Sequence, residues 1–239
     1  MSCWSRDRAA SFEGRAITFG TAPNADVRAE AIEDLGLDGM RFRIDTADGS
    51  AEATIPLIGR GNLLNVLAAA AVALELGVPL GEIVGRAASL SPAPHRGAVT
   101  RLPRGVTVFD DSYNSSPAAL ERALEALAHE RRAARKAAVL GEMLELGDHA
   151  VELHERCGRA AATARLDRLI TVGGPAAEAM AAAAIAAGLP ASAVSWTPTS
   201  TDAAASITSW LRAGDVVLVK GSRGVKTDLV VDRITAEFS

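Results

Sequence analysis

The 239-residue chain predicts an α/β fold: a Rossmann-like, doubly wound and mostly parallel sheet preceded by a smaller, partial α/β region. Three observations carry this prediction. From residue 105 onward, short apolar runs alternate five times with helix-length stretches, the pattern of strands joined by helical crossovers. Before that point, apolar and charged residues alternate at period two, as in half-buried strands. Aromatics make up only 4% of the chain against 49% apolar residues, and alanine is heavily used, which suits closely packed helices rather than an aromatic-rich β sandwich.

Taken in order, "RAITFG" (15–20) reads as a short strand and "ADVRAEAIEDLG" (25–36) as a helix or a loop. "MRFRI" (40–44) and "AEATIPLI" (51–58) read as strands, and the turn-forming "DTADGS" between them predicts a hairpin. Two helices follow: "NLLNVLAAAAVALELG", closed by Gly77, and "PLGEIVGRAASL". The proline-rich "SPAPHRG" (91–97) is the candidate linker, so the domains are read as 1–96 and 97–239. Strands are then expected at 106–109, 137–140, 168–172, 193–196 and 215–220, with helices near 117–132, 149–164, 175–187, 201–212 and 225–237. In such sheets ligands bind outside the carboxyl ends of the strands. Those ends carry "DDSYNSSP", "GEMLELGD", "GGP", "TPTST" and "KGSRG", three of the five rich in charge and hydroxyls.

Bulk properties narrow the function. Charged residues make up 23% and the net charge is -4, which gives no general attraction to nucleic acid or to an anionic membrane. Any phosphate binding must come from local placement of charge. Cys3 and Cys157 lie far apart and have no metal-ligand spacing, so a reduced, cytoplasmic chain is expected. The start, "MSCWSRDRAASFEGRA", has no apolar core and does not read as a signal peptide. The most apolar run, "VLAAAAVAL" (66–74), is about half the roughly 20 residues that span a bilayer.

Two loops stand out chemically. "KGSRGVKT" resembles a phosphate loop in composition but not in spacing. A G-x-x-x-x-G-K-[ST] loop needs its lysine directly after the second glycine, whereas Val225 precedes Lys226 here and the glycines are 221 and 224. No other segment fits that motif. Lys220 and Arg223, bracketing a turn at a helix N-terminus, suit a carboxylate or a phosphate; the plain alternative is a glycine turn with solvated bases. In "VFDDSYNSSPAAL", Ser116 is a good N-cap and Pro117 suits the first helical turn. Asp110, Asp111, Tyr113 and Asn114 remain at the strand end. The paired aspartates suit ribose hydroxyls or a hydrated magnesium ion, or simply form an Asx-type turn.

Asn62 and Asn65 share one side of a helix. Asn62 is also a candidate cap, while Asn65 stands in an apolar stretch where a buried amide would need partners. Arg96 sits in the linker, otherwise an exposed charge. His149 and His154 diverge around a helix and make a poor metal pair; each reads as a core or surface histidine. No metal site is expected.

Together, "GRGNLLNVLAAAAVALELGV", "PAPHRG", "VFDDSYNSSPAALERAL", "VLGEMLELGDHAVELH" and "LVKGSRGVKTD" resemble the Mur ligases of bacterial cell-wall synthesis, from about residue 15 to the end. The nearest type is MurF, which joins D-alanyl-D-alanine to UDP-N-acetylmuramoyl-tripeptide. The resemblance implies activation of a carboxylate as an acyl phosphate by ATP and magnesium, followed by attack of an amine. It assigns Asn62, Asn65, Arg96, Asp111 and Tyr113 to the nucleotide, and Asn114, Lys220, Ser222 and Arg223 to the substrate side. Arg96 and Lys220 would stabilise the developing negative charge.

The family's phosphate loop, its magnesium-binding glutamate and histidine and its modified lysine find no match in this sequence. Residues 1–96 are therefore expected to form the end of the central ATPase domain and 97–239 the carboxyl-terminal domain, without ligase turnover by this chain alone. Two positions depart from the pattern: Gly61 stands where the family has histidine, and His95 where this type commonly has glycine. The alternative is a binding module that docks on a separate chain carrying the phosphate loop, through an apolar face around "TIPLI" and 66–74. A plain nucleotide-binding Rossmann domain is disfavoured, since no G-x-G-x-x-G follows the first strand of the regular region.

Overall fold

A computed structural model describes residues 14–239; Cys3 and most of the stretch read for a leader lie outside them. The chain forms two compact units that divide between Leu90 and Ser91, ahead of the boundary read from the linker.

The first unit holds a four-stranded sheet in the order β1 (Phe19–Gly20), β2 (Val27–Asp34), β3 (Met40–Thr46), β4 (Gly49–Ile55). β1 runs parallel to β2, and the rest is antiparallel. The expected hairpin joins β3 to β4, with Thr46 opposite Gly49. Segment 27–34 is a strand, not the helix or loop expected. Its alanines and glutamates favour helix locally, but Val27 and Ala29 are buried while Arg28 and Glu30 stand outward, and pairing with β3 decides. The register slips between Glu30 and Glu33, where Ala31 takes a left-handed φ of 49° and the strand bulges. Arg28 and Arg43 each pair with both Glu30 and Asp45 on the outward face.

On the other face, Phe42, Ile44 and Ile55 form one core with Leu63 and Leu67 of α1 (Gly59–Glu75) and Ile83 of α2 (Leu80–Ala88). Gly77 closes α1 as expected. At φ 79° it lets the Val78 N–H reach back to the Ala73 carbonyl at 3.0 Å.

The second unit is built on a six-stranded sheet in the order β5-β6-β10-β7-β8-β9. The strands are β5 (Ala98–Arg101), β6 (Thr107–Asp111), β7 (Lys136–Gly141), β8 (Arg168–Val172), β9 (Val194–Thr197) and β10 (Val216–Lys220). All pairs are parallel except β5 with β6. The edge strand β5 was not foreseen, because four half-exposed residues behind a proline-rich segment show no periodicity. The helices are α3 (Pro117–His129), α4 (Ala150–Thr163), α5 (Pro175–Ala186), α6 (Ser200–Trp210) and α7 (Asp228–Phe238).

β10 is inserted between β6 and β7, so the winding direction reverses there and the helices divide between the two faces. Ile207 of α6 and Val230 and Ile234 of α7 share a core with Val108, Val139, Val217 and Val219. Leu120, Leu124, Cys157 and Met180 from α3 to α5 are buried with the opposite set of strand residues. β6, β7, β8 and β10 are covered on both sides, hence their unbroken apolar runs. At the reversal Lys220 ends β10 with Asp111 of β6 on one side and Leu140 of β7 on the other. Open α/β sheets hold ligands at such switch points.

Candidate functional site

β6 ends in two aspartates whose side chains leave the strand on opposite sides, since successive residues alternate. Asp110 is buried, at 7% exposure. Its Oδ1 accepts from the Ser112 hydroxyl at 2.6 Å and the Ser112 N–H at 3.1 Å, and its Oδ2 accepts from His95 Nδ1 at 2.9 Å. The Asx-type turn is therefore real, and both Asp110 oxygens are engaged.

Asp111 faces β10 instead. Lys220, opposite it in the parallel register, donates from Nζ to Asp111 Oδ2 at 2.5 Å and to the Asn114 carbonyl at 2.9 Å. The lysine side chain is only 3% exposed and the aspartate 24%. Burial raises the Asp111 pKa above its ordinary value of 3.8, against the opposing pull of Lys220 and Arg96.

Arg96 follows His95, which takes a left-handed φ of 61°. The guanidinium of Arg96 lies over the Tyr113 ring, 4.0 Å from its centroid, and that of Arg223 lies 5.5 Å from the same centroid. The Tyr113 N–H donates to the His95 carbonyl at 3.0 Å. The linker, the end of β6 and the "KGSRG" loop therefore meet, bringing Arg96, Asp111, Tyr113, Asn114, Lys220 and Arg223 to one rim. Asn114 contributes its carbonyl to Lys220, while its side-chain Oδ1 accepts from the Ser115 N–H at 2.8 Å.

Ser222 is buried, and its Oγ accepts from the Leu144 N–H at 3.0 Å, so it ties the β10 loop to the loop after β7. Ser116 takes the N-cap position before Pro117, but its side chain makes no capping bond. Gly221 is held to glycine by crowding: a Cβ there would stand 2.8 Å from Thr227 Cγ2 and 3.0 Å from Gly141 Cα.

Asn62 and Asn65 belong to the first unit. Asn62 is not the N-cap of α1, which starts at Gly59; its Nδ2 donates to the Ile58 carbonyl at 2.9 Å. Asn65 is exposed, so the reasoning from a buried amide does not apply to it.

Sequence reasoning misses the roles of three contributors at the carboxyl edge. His95 and Ser112 grip Asp110, a role signalled only by their closeness in sequence to Arg96 and Asp111. Glu142 accepts from the Gly174 N–H at 2.7 Å at the start of α5. His154 is fully buried, a core histidine as expected. Its Nε2 accepts from the Met143 N–H at 2.8 Å, and its Nδ1–H donates to the Ala150 carbonyl at 2.6 Å. His149 is exposed.

The two adjacent aspartates do not converge as a magnesium site, because Asp110 has both oxygens engaged and Asp111 turns to Lys220. Among the described residues no cluster of three or more His, Cys, Asp or Glu side chains suits a metal ion. No helix among them is long and apolar enough to cross a membrane.

The second unit is therefore a doubly wound α/β domain with a cationic, aspartate-bearing rim at its switch point. The chain belongs to the Mur ligase family: residues 4–73 match the Mur ligase middle domain and residues 95–223 the Mur ligase, glutamate ligase domain. The UDP-N-acetylmuramoyl-tripeptide–D-alanyl-D-alanine ligase of Mycobacterium tuberculosis (strain H37Rv) is 38% identical over 243 residues, covering 93% of this chain and 47% of that protein. The Escherichia coli K12 ligase of the same name is 34% identical over 152 residues, covering 64% of this chain and 33% of that protein. MurF from Acinetobacter baumannii superposes with a TM-score of 0.83 at 28% identity, covering 97% of this chain and 49% of that one. MurF from Thermotoga maritima, solved in complex with ADP, superposes at 0.73 with 28% identity, covering 93% and 48%. The chain spans about half the length of the curated relatives it matches most fully.

Proposed function

We propose that this chain carries the amine-side part of a cytoplasmic, ATP-dependent ligase that joins D-alanyl-D-alanine to UDP-N-acetylmuramoyl-tripeptide in peptidoglycan synthesis. The observation that carries the reading is the buried Lys220–Asp111 pair beside the guanidiniums of Arg96 and Arg223 at the switch point. ATP bound with magnesium would supply the phosphoryl group that activates the tripeptide carboxylate. Arg96 would meet phosphoryl oxygens, and its fixed charge would stabilise the negative charge that builds up as the amine attacks. Lys220 has a third ammonium proton beyond its two observed bonds and would act on the same charge. Arg223, with Ser222 fixing its loop, would meet the acyl phosphate from the substrate side. Asn62, Asn65, Asp111 and Tyr113 would face the nucleotide. Magnesium finds no suitable donor set among these residues, so its ligands would come from elsewhere in a complete enzyme.

The test is a chimera in which residues 15–239 replace the matching part of the Mycobacterium tuberculosis relative. It should release phosphate only when both D-alanyl-D-alanine and the UDP-muramoyl tripeptide are present, and Arg96→Ala should abolish that release. Release with unrelated amines, or full activity in the variant, would refute the reading.

A second reading, a module that docks on a separate chain carrying the phosphate loop, is favoured by one feature of α1 and its C-cap, Leu76. Leu64, Val72 and Leu76 are exposed by 41%, 62% and 78%. The face is narrower than the sequence suggested, because Ile55, Val66, Leu67, Ala70 and Ala71 are buried in the unit's own core. Co-elution with a phosphate-loop protein encoded beside it supports this reading; separate elution at micromolar concentration refutes it.

A further inference from the structure

We propose that Tyr113 is a positioning residue whose ring gathers the Arg96 and Arg223 guanidiniums into one two-pronged clamp for a multiply charged phosphoryl anion. The inference rests on the reading of this rim as an anion site and adds what assembles it. The two arginines come from opposite ends of the second unit, and like charges do not settle together unaided. Both lie within cation–π range of one ring, at 4.0 and 5.5 Å from its centroid. The negative face of the ring offsets part of their mutual repulsion.

Among the described residues, neither guanidinium is ion-paired with a carboxylate, so their donors remain available to a ligand. The ring is itself anchored to the segments that carry the arginines. The Tyr113 N–H holds the His95 carbonyl, next to Arg96, at 3.0 Å. The Asn114 carbonyl, next to Tyr113, takes the Nζ of Lys220, which starts the loop bearing Arg223, at 2.9 Å. The phenol hydroxyl has no partner among the described residues, so the ring face rather than the hydroxyl is the working part. An anion with two or more charges would span both guanidiniums; a monovalent one would engage a single prong.

The whole 239-residue chain serves for the test, because Tyr113 is its only tyrosine and carbon-13 tyrosine labelling gives one ring signal. Titration with inorganic pyrophosphate at low salt should shift that signal saturably, and calorimetry should give the same Kd. Tyr113→Phe, which keeps the ring, should bind within about twofold of wild type, whereas Tyr113→Leu should bind roughly tenfold more weakly. In the free protein, Arg96→Gln and Arg223→Gln should each move the tyrosine ring signal, a readout independent of whether Tyr113→Leu folds. If Tyr113→Leu binds like wild type, or either arginine variant leaves the ring signal unmoved, the positioning role is overturned and the anion site stands. If wild type shows no pyrophosphate shift, both are overturned.

Discussion

Removing the Asp111 carboxylate should destabilise the chain far more than a surface substitution would. The Lys220 side chain is 3% exposed and its ammonium touches Asp111 Oδ2 and the Asn114 carbonyl. Asp111→Ala leaves that charge in a nearly dry site with one carbonyl for company. Stranding one member of a buried pair costs about 3–5 kcal/mol. Asp111 is 24% exposed, so water reaches the gap and about 2–3 kcal/mol is the expected loss. With a urea m-value of about 2 kcal/mol/M, the midpoint should fall by about 1 M. Tryptophan fluorescence reads it, since Trp196 and Trp210 both lie in the second unit.

Burial, with Asp110 adding to it, raises the Asp111 pKa despite the attraction of Lys220, and a buried ion pair is often no more stabilising than apolar side chains of similar volume. Adding Lys220→Met to Asp111→Ala should therefore recover most of the loss. The pH dependence follows the same sign. With its folded pKa above 3.8, Asp111 keeps a proton in the folded chain that the unfolded chain releases. Its contribution to stability therefore falls as pH rises from 3.8 toward the folded value and is flat above it. A midpoint that hardly moves in Asp111→Ala, or a double variant no more stable than the single one, would refute the reasoning.

Four further outcomes are expected. Burial, with Glu121 adding to it, pushes the Cys157 thiol up to about 12; in a Cys3→Ser variant it should resist a disulfide reagent at about pH 8 until urea exposes it. The same shift makes stability fall as pH rises from 9.0 toward about 12, because only the unfolded chain ionises there. Gly158→Ala should lower the melting temperature despite better helix propensity: the new methyl would stand 2.2 Å from the Met180 carbonyl, and overpacking costs about 1–3 kcal/mol. His154→Leu orphans the Met143 N–H, costing about 1–3 kcal/mol, and should speed amide exchange at Met143 and Leu144; unchanged exchange would count against the role given to His154.

The inner strands of the terminal sheet were legible because they are covered on both faces and appear as unbroken apolar runs, such as residues 216–219. Segment 27–34 was not, since alanine and glutamate at its outward positions carry a helical preference that only pairing with β3 overrides. The site was legible as a set of charged strand ends, but not as a set of partners. Nothing local to "FDD" says that Asp110 turns to His95 and Asp111 to Lys220. That choice follows from β10 lying between β6 and β7, a long-range order that no window of sequence encodes. Ser222 shows the same limit, because its inward turn depends on Leu144 across the sheet.

The glycine-rich loop after β10 looks like a phosphate loop for reasons of packing. A phosphate loop binds through free backbone N–H groups, yet here several are consumed internally. The N–H of Ser222 donates to the Glu142 carbonyl, that of Val225 to Ser222 and that of Lys226 to Arg223. Gly221 is small because Thr227 and Gly141 crowd it where β7, β10 and the entry to α7 converge. With these amides spent, the anion binding proposed for this rim would fall to side chains, and fixed side-chain charge needs its own scaffolding. Lys220 gets it from Asp111 and the Asn114 carbonyl, Arg96 and Arg223 from the ring of Tyr113. On that proposal, the spacing that disqualifies the loop as a phosphate cradle would leave the aspartate and the tyrosine at the end of the neighbouring strand to hold the cationic side chains in place.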